Sequence, residues 1–289
     1  MKLNKVVFPV AGLGSRFFPA TKATPKEMLP IADKPLIQYA VEEALDAGFT
    51  ELIFVMAKSK TSIRDHFDGK LSTELSNLTE EKKELLNKMN KIIPQGVSCK
   101  YIFQEEPLGL GHAILQAKPL INDEPFAVIL ADDLIDSKTS ALKQMVGLYD
   151  DRNSSIISVQ KIDKASSIHY GIVSIDEGCQ NKMKLTDIIE KPLPKNAPSN
   201  LGVVGRYIFC NKILKFLEKI SFGAGNEIQL TDGIRSMLST HSVYAYEFEG
   251  IRYDCGDKLG FIKANIEYAL KDNIFGGDLK NYLKSRLKR

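Results

Sequence analysis

Apolar residues in the first half of the chain fall into short continuous runs that alternate with segments of helical spacing. The continuous runs, rich in β-branched and aromatic residues, predict buried strands at 6–10, 51–56, 100–104 and 126–130. Between them, apolar residues recur every three to four positions and predict helices at 35–48, 111–117 and 137–149. Repeated strand–helix–strand units predict right-handed crossovers and a mostly parallel sheet with helices on both faces.

The second half changes character. Strand-like segments at 155–160, 170–175, 184–189 and 203–209 are separated by loops, and helical spacing returns at 211–219, 228–238 and 258–270. A charged segment at 71–90 also has helical spacing and predicts an external helical insertion. No Pro- or Ser-rich linker divides the chain. We therefore expect one domain at 1–272, with a nucleotide-binding half at about 1–135 and a second-substrate half at about 136–272.

A basic amphipathic helix is predicted to follow at 273–289. The last twelve residues hold five basic and one acidic residue, a net charge of +4, so the rest of a chain with net charge +3 sums to −1. A basic tail on a neutral body argues against a nucleic-acid-binding face. The tail's apolar stripe could dock on its own domain, contact a membrane surface or join a neighbouring subunit. It consists of Leu279, Tyr282, Leu283 and Leu287.

Composition is that of an ordinary globular protein, with 44% hydrophobic and 26% charged residues in 289. No apolar run reaches the roughly 18 residues that a membrane span needs, and the chain starts like a strand rather than a secretory signal. We expect a cytoplasmic protein. The four cysteines lack any C-x-x-C pair, which predicts reduced thiols rather than disulfides or a zinc site.

The first candidate site is the glycine loop at 11–14 (AGLG), directly after the first predicted strand. Glycines let a backbone turn sharply and bring N–H groups close to a ligand. The spacing matches neither a G-x-G-x-x-G helix start nor a P-loop. Instead Arg16, Lys22 and Lys26 follow in a proline-punctuated loop, a cationic cradle suited to a triphosphate. A purely structural turn is the alternative.

Two adjacent acids, Asp132 and Asp133, follow the predicted strand at 126–130, at the edge where open α/β sheets bind ligands. Beside a triphosphate such carboxylates are suited to Mg²⁺, because that ion prefers hard oxygen donors. One of the pair can instead cap the following helix. Asp254, shortly before a predicted helix, repeats the pattern and is the candidate second metal acid.

Glu190 and Lys191 directly follow the predicted strand at 184–189 and precede a proline. The carboxylate is suited to accept hydrogen bonds from sugar hydroxyls, and the ammonium to hold a phosphate as a point charge. A surface ion pair at the end of a strand is the alternative interpretation.

These segments occur together in an order that resembles the sugar-1-phosphate nucleotidylyltransferases, most narrowly the bacterial members that use UTP and glucose 1-phosphate. The matching segments, within residues 5 to about 270, are FPVAGLGSRFFPATKATPKEMLPIADKPLIQYAVEEA, QEEPLGLGHAI, VILADDL, IIEKP, VVGRYIF, GNEIQLTDGI and YDCGDKLG. The resemblance implies a single Rossmann-like α/β nucleotidyltransferase domain with a mixed, mostly parallel central sheet flanked by helices. It also implies Mg²⁺ as cofactor and a homodimer or homotetramer.

The resemblance also implies roles for individual residues. The catalytic cations would be Arg16, Lys26 and Lys191. The nucleotide would contact Ala11, Gly12, Leu13, Gly14, Gln104 and Gly109, with Glu27 as a weaker candidate near the base. The sugar phosphate would contact Gly171, Glu190, Lys191 and Gly205. Mg²⁺ would be bound by Asp132 together with Asp254. The resemblance favours Asp132 over the adjacent Asp133 as the primary ligand but leaves that choice open.

Two mild departures are visible, because Ser15 stands where the family often has Thr and Phe18 where Leu is common. The implied reaction is transfer of UMP from UTP to glucose 1-phosphate. A thymidylyltransferase acting on glucose 1-phosphate is an alternative, since base choice depends on small contacts around Gln104 and Gly109. An inactive nucleotide-sugar sensor is another, although it would not need the metal acids. The glycine spacing disfavours a Rossmann dehydrogenase.

Overall fold

The computed structural model describes residues 3–68, 79, 84, 92–149, 154–176 and 183–287. The helical insertion predicted at 71–90 lies outside the described residues, apart from Thr79 and Glu84. Among the described residues, no helix has the length and apolar character needed to cross a membrane.

The strands agree closely with the continuous apolar runs. They are β1 Lys5–Pro9, β2 Pro30–Ile31, β3 Lys34–Pro35, β4 Glu51–Met56, β5 Ser98–Phe103, β6 Phe126–Ile129, β7 Asp133–Asp136, β8 Ser155–Lys161, β9 Gly171–Ile175, β10 Met183–Glu190, β11 Leu201–Phe209, β12 Val243–Glu247 and β13 Ile251–Asp254. All eight predicted strands are confirmed. The short strands β2, β3, β7 and β13, and the alternating strand β12, were not predicted.

Helices occupy the predicted places, often over a shorter length, and two further helices, Thr61–Asp68 and Lys118–Ile121, were not predicted. They are α1 Leu36–Asp46, α2 Thr61–Asp68, α3 Leu110–Gln116, α4 Lys118–Ile121, α5 Ala141–Val146, α6 Ile213–Leu217, α7 Leu230–Met237, α8 Lys258–Leu270 and α9 Gly276–Leu287. The start of α8 is fixed by Asp257, whose side chain accepts hydrogen bonds from the N–H groups of Leu259 and Gly260. The basic tail forms α9, which packs on α8 and leaves Tyr282 and Leu287 more than half exposed. Assembly into a dimer or tetramer stays a prediction.

Within the described residues, nine strands form one mixed sheet in the order β5-β4-β1-β6-β11-β8-β12-β10-β9. The first four are parallel, with Val7 opposite both Ile53 and Val128. Strand β11 is antiparallel to β6 and β8, and in the second half only β8 and β12 run parallel. Parallel pairing dominates the first half because helices connect its strands, whereas loops connect most of the others. The predicted α/β class with a mixed sheet is confirmed.

Successive residues of the central strands face two different cores. Val7 packs with Ile53 and Val128 on one face, while Val6 and Phe8 lie in the core on the opposite face. Helices α3 and α7 contribute to the first core, and α1 contributes to the second. Burial on both faces explains why these strands read as continuous apolar runs, and it confirms the predicted helical layers.

One arginine, Arg206 of β11, is 1% exposed in the middle of this apolar sheet. Its Nε and Nη2 donate to the two carboxylate oxygens of Glu43 in α1, at 2.9 and 2.7 Å. Its Nη1 and Nη2 also donate to the carbonyl oxygens of Leu130 and Asp133, at 3.2 and 2.8 Å. The guanidinium therefore ties α1 and β11 to the turn between β6 and β7.

Replacing Glu43 with alanine would leave the Arg206 charge buried without its partner. We expect the free energy of unfolding to fall by about 3–5 kcal/mol, measured by urea denaturation. The matched control is Lys143→Ala, which removes a 2.9 Å ion pair with Asp46 whose side chains are about half exposed. That change should cost less than about 1 kcal/mol. Equal losses for both variants would contradict a stabilising role for the buried pair.

Candidate active site

Two cavities open at the carboxyl ends of the central strands, where α/β sheets bind ligands. The larger cavity, of about 490 Å³, is lined by Ala11, Gly12, Leu13, Lys26, Gln104 and Gly109 among others. The smaller cavity, of about 270 Å³, is lined by Arg16, Gly171, Glu190, Lys191, Gly205 and Asp254 among others. Asp132, Leu110 and Leu130 line both, so the two cavities meet at Asp132. Five of the seven nucleotide candidates thus line the larger cavity, and the four sugar-phosphate candidates line the smaller one together with Arg16 of the cationic loop.

The loop after β1 folds as three short 3₁₀ turns rather than as a helix. Gly14 has φ +65°, and a Cβ there would lie 3.1 Å from the Cβ of Lys26. The hydroxyl of Thr21 donates to the Gly14 carbonyl at 2.8 Å and closes the loop on itself. Gly14 therefore shapes the loop and lets Lys26 approach, although it lines neither cavity.

Lys26 and Asp132 form an ion pair at the meeting point of the cavities, with Nζ 2.7 Å from Oδ2. Burial disfavours charge on the lysine, but the carboxylates of Asp132 and Glu27 more than offset it and raise the pKa of Lys26. Burial likewise opposes the charge of Asp132, and the adjacent ammonium still lowers the pKa of that carboxyl. Both groups are therefore charged at neutral pH.

Glu27, the weaker candidate for contact with the base, lines neither cavity. It is 2% exposed, and its Oε2 lies 2.7 Å from Nζ of Lys60, which is also buried. Burial raises the pKa of Glu27 and lowers the pKa of Lys60, since each ion has left water. The pair lies beneath the loop and supports the turn that carries Lys26. The role of Lys60 could not be predicted from the sequence, because a lysine four residues after a strand matches no pattern.

Asp133 and Arg252 form a second ion pair at the floor of the smaller cavity. Nε and Nη2 of the arginine donate to Oδ1 of Asp133, and the N–H of Gly205 donates to Oδ2 at 2.7 Å. A Cβ on Gly205 would lie 2.6 Å from that same oxygen, so only glycine fits there. Both carboxylate oxygens of Asp133 are therefore engaged by Arg252 and Gly205, whereas the Asp132 carboxylate pairs with Lys26 through Oδ2.

Arg252, which sequence analysis did not single out, organises this part of the site. Its Nη2 lies 3.2 Å from Oδ2 of Asp254, and its Nη1 donates to the hydroxyl of Tyr170 at 2.7 Å. Its guanidinium also lies 5.1 Å from the centre of the Tyr170 ring. An arginine two residues before an acid in a short polar strand gives no signal that distinguishes it from a surface residue.

The donors for a metal ion converge beside Gly256. A Cβ at this glycine would lie 3.0 Å from Oδ2 of Asp132 and 3.1 Å from Oδ1 of Asp254. The missing side chain therefore leaves a cradle between two carboxylates. Among the described residues, no group of three or more His, Cys, Asp or Glu side chains is placed to hold a metal. Two carboxylates fit Mg²⁺, which commonly takes one or two from the protein and the rest from phosphates and water.

Lys191 has a strained backbone at the edge of the smaller cavity. Its φ is +45°, a left-handed conformation that costs a residue with a side chain about 1 kcal/mol or more. Its N–H donates to the carbonyl of Tyr170 at 2.9 Å, and its Nζ lies 3.1 Å from Oε1 of Glu190. The ammonium is about half exposed. Strain of this kind persists at places where function fixes the direction of a side chain.

Gln104 is 7% exposed at the wall of the larger cavity. Its Nε2 lies 3.2 Å from the carbonyl oxygen of Gly109 and 2.9 Å from Nδ1 of His112. Gly109 has φ +96°, and a Cβ there would lie 2.7 Å from the Cβ of Glu227. This glycine therefore lets the segment before α7 approach the start of α3 closely at the cavity wall.

A cationic loop, two converging carboxylates and adjoining cavities on a mixed α/β sheet define an enzyme that joins two phosphate-bearing substrates. The family model for nucleotidyl transferases matches residues 5–271. A UTP–glucose-1-phosphate uridylyltransferase of Staphylococcus epidermidis is 47% identical over 283 residues, which cover 98% of each chain.

Solved structures agree with these sequence matches. A UDP-glucose pyrophosphorylase complexed with UDP-glucose has a TM-score of 0.85 and 42% identity, covering 94% of this chain and 100% of its own. A UTP-bound UGPase from Acinetobacter baumannii has a TM-score of 0.88 and 38% identity, covering 98% and 99%. The chain belongs to the nucleotidyl transferase family and, within it, to the UTP–glucose-1-phosphate uridylyltransferases. The resemblance inferred from the sequence and the prediction of a nucleotidyltransferase are confirmed.

Proposed function

We propose that this chain transfers UMP from UTP to glucose 1-phosphate, producing UDP-glucose and pyrophosphate. The observation that carries the proposal is the meeting of the two cavities at Asp132, with the glycine loop and Lys26 on one side and Arg16, Glu190 and Lys191 on the other. Relatives at 47% identity bear the corresponding name, and solved neighbours hold UTP or UDP-glucose. UTP belongs in the larger cavity and the sugar phosphate in the smaller.

The reaction needs no protein nucleophile and no general base. The second pKa of a phosphate monoester is about 6, so glucose 1-phosphate is mostly a dianion at neutral pH. One of its oxygens attacks the α-phosphorus of UTP in line, a new P–O bond forms, and the bond to pyrophosphate breaks. The protein has to hold two mutually repelling anions in this alignment and to balance the charge that develops.

The positive charge for this task comes from three side chains around the junction. Lys26 lies on the nucleotide side, where the carboxylates of Asp132 and Glu27 raise its pKa and keep it protonated despite its burial. Arg16 lines the smaller cavity, and its Nη1 is 3.4 Å from the Gly256 carbonyl oxygen. Lys191 lies across that cavity and would bind the sugar phosphate, while Glu190 and Gly171 would orient the sugar hydroxyls.

Asp132 and Asp254 would hold Mg²⁺ in the cradle beside Gly256. The ion would neutralise part of the phosphate charge during transfer. Asp133 would not be a direct ligand in this proposal. Its pairing with Arg252 and with the Gly205 N–H instead fixes the turn from which Asp132 projects.

The direct test supplies the purified chain with UTP, Mg²⁺ and a panel of sugar 1-phosphates, and measures pyrophosphate release with product identification. UDP-glucose should form only when both substrates and the metal are present. Faster turnover with dTTP than with UTP would indicate a thymidylyltransferase. Nucleotide binding without pyrophosphate release under any condition would favour a sensor and overturn the proposal.

Replacing Gly256 with alanine tests the metal cradle without removing a carboxylate. The new Cβ would enter the space between Asp132 and Asp254, so we expect the half-saturating Mg²⁺ concentration to rise about tenfold or more. Gly277→Ala is the matched control, because a Cβ there meets nothing within 4 Å. An unchanged Mg²⁺ dependence in Gly256→Ala would remove the cradle from the proposal.

A further inference from the structure

The imidazole of His112, in α3, bridges two side-chain amides behind the larger cavity. Its Nδ1 lies 2.9 Å from Nε2 of Gln104. Its Nε2 lies 2.9 Å from Nε2 of Gln116, one helical turn further on. His112 is half-buried and does not line the cavity itself, whereas Gln104 does. Of the two amides that contact the imidazole, that of Gln104 is the one at the cavity wall.

The hydrogen-bond partners of the Gln104 amide and of the His112 imidazole determine which ring nitrogen of His112 carries the proton. The carbonyl of Gly109 can only accept, so the Gln104 amide turns its nitrogen toward it at 3.2 Å. The second N–H of the same amide then points to Nδ1 of His112, which accepts. A neutral imidazole carries one proton, so Nε2 of His112 is the protonated nitrogen and needs an acceptor. Nε2 of Gln116 faces this nitrogen at 2.9 Å, and because the nitrogen and oxygen of a side-chain amide are nearly equal in size, the Gln116 amide turns over to present its oxygen. In this arrangement the N–H groups of the Gln104 amide and of the His112 ring each meet an acceptor.

We propose that His112 is a positioning residue that fixes the Gln104 amide with its oxygen toward the nucleotide base. With both N–H groups engaged by Gly109 and His112, the acceptor Oε1 is the part of the amide left to face the cavity. An acceptor at this place favours a base whose ring nitrogen carries a proton, as N3 of uracil does. It disfavours cytosine, whose N3 is itself an acceptor. The inference rests on the proposed function, because it assigns the larger cavity to the base of UTP.

His112→Phe removes both ring nitrogens and keeps an aromatic ring of similar size. The Gln104 amide can then turn, and a hydrogen bond of ordinary strength corresponds to roughly a tenfold change in binding. We expect the ratio of kcat/KM for UTP to that for CTP to fall about tenfold, mainly through a higher KM for UTP. Gln116→Leu, which removes only the partner of Nε2, should lower the ratio by about two- to threefold.

The matched control is His66→Phe. His66 is also half-buried and lies 3.0 Å from a glutamine amide, that of Gln38, but it is on α2 and lines neither cavity. Its replacement should leave the UTP/CTP ratio unchanged. In a Gln104→Leu background no amide remains for His112 to orient. Adding His112→Phe should then change the ratio by less than about twofold.

Three results would overturn the inference. One is an equal loss of activity with UTP and CTP in His112→Phe, and another is a full effect of that change in the Gln104→Leu background. The third is a ¹⁵N NMR spectrum of the wild-type chain in which Nδ1 of His112 carries the proton, a measurement that needs no variant to fold. Wild-type protein that shows no turnover with UTP would instead contradict the proposed function, so the two failures are distinguishable.

Discussion

Asp132→Asn should lower kcat at saturating UTP and glucose 1-phosphate by about a thousandfold while the chain stays folded. The substitution removes one of two carboxylates beside Gly256 and the partner of Lys26 at once. Charge stabilisation at a transferring phosphoryl group is worth several kcal/mol, and each 1.4 kcal/mol is a tenfold change in rate. Pyrophosphate release at several Mg²⁺ concentrations measures the loss.

The matched control for this change is Asp136→Asn, at the far end of β7, the strand that begins directly after Asp132. Asp136 pairs with Lys271 on the outside of the molecule and lines neither cavity. It should retain kcat within about twofold. If Asp132→Asn kept more than a tenth of wild-type turnover, the assignment of Asp132 as the principal metal acid would be wrong.

Lys191→Gly should separate the function of this lysine from its structural cost. Loss of the ammonium should lower kcat/KM for glucose 1-phosphate by about 100- to 1000-fold, because a charged partner of the sugar phosphate is missing. Glycine adopts φ +45° without strain, so the free energy of unfolding should rise by about 1 kcal/mol. Steady-state kinetics and urea denaturation measure the two effects independently.

Lys191→Ala provides a comparison, since it also lacks the ammonium but keeps the strained backbone. It should lose activity equally without the gain in stability. Lys195→Ala, an exposed lysine in the next turn, should change neither quantity. A Lys191→Gly variant that lost stability, or that kept its activity toward glucose 1-phosphate, would contradict the interpretation of the left-handed residue as a strained phosphate-binding position.

The central sheet could be predicted because it is buried on both faces. Runs such as 52–56 and 126–130 are apolar throughout, and that signal does not depend on distant residues. The short strands β7 and β13, with sequences DLID and IRYD, contain too few apolar residues for any period to be visible. Only their pairing across more than 100 residues makes them strands.

The parts of the candidate site that lie in short continuous segments could be predicted from the sequence. The glycine loop, the doubled acid and the Glu190–Lys191 pair each lie at a strand end, which sequence pattern can locate. The supporting ions could not be found in this way, because Lys60, Arg206 and Arg252 depend on partners distant in the sequence. Arg206 did carry one overlooked signal, since an arginine inside a continuous apolar strand requires a buried partner.

The pairing of β7 with β13 has a consequence for how this enzyme can change. Asp254 lies directly opposite Asp133, and the N–H of Cys255 donates to the carbonyl of Asp132 at 2.7 Å. The two candidate metal acids are thus held by a β-ladder rather than by the long segment between them, residues 137–250. Glu190, at the end of β10, and Lys191 belong to that segment, whose loops can accept insertions or substitutions without altering the spacing of the carboxylates. An enzyme built in this way can acquire a new substrate at the smaller cavity while its two candidate metal acids keep their positions.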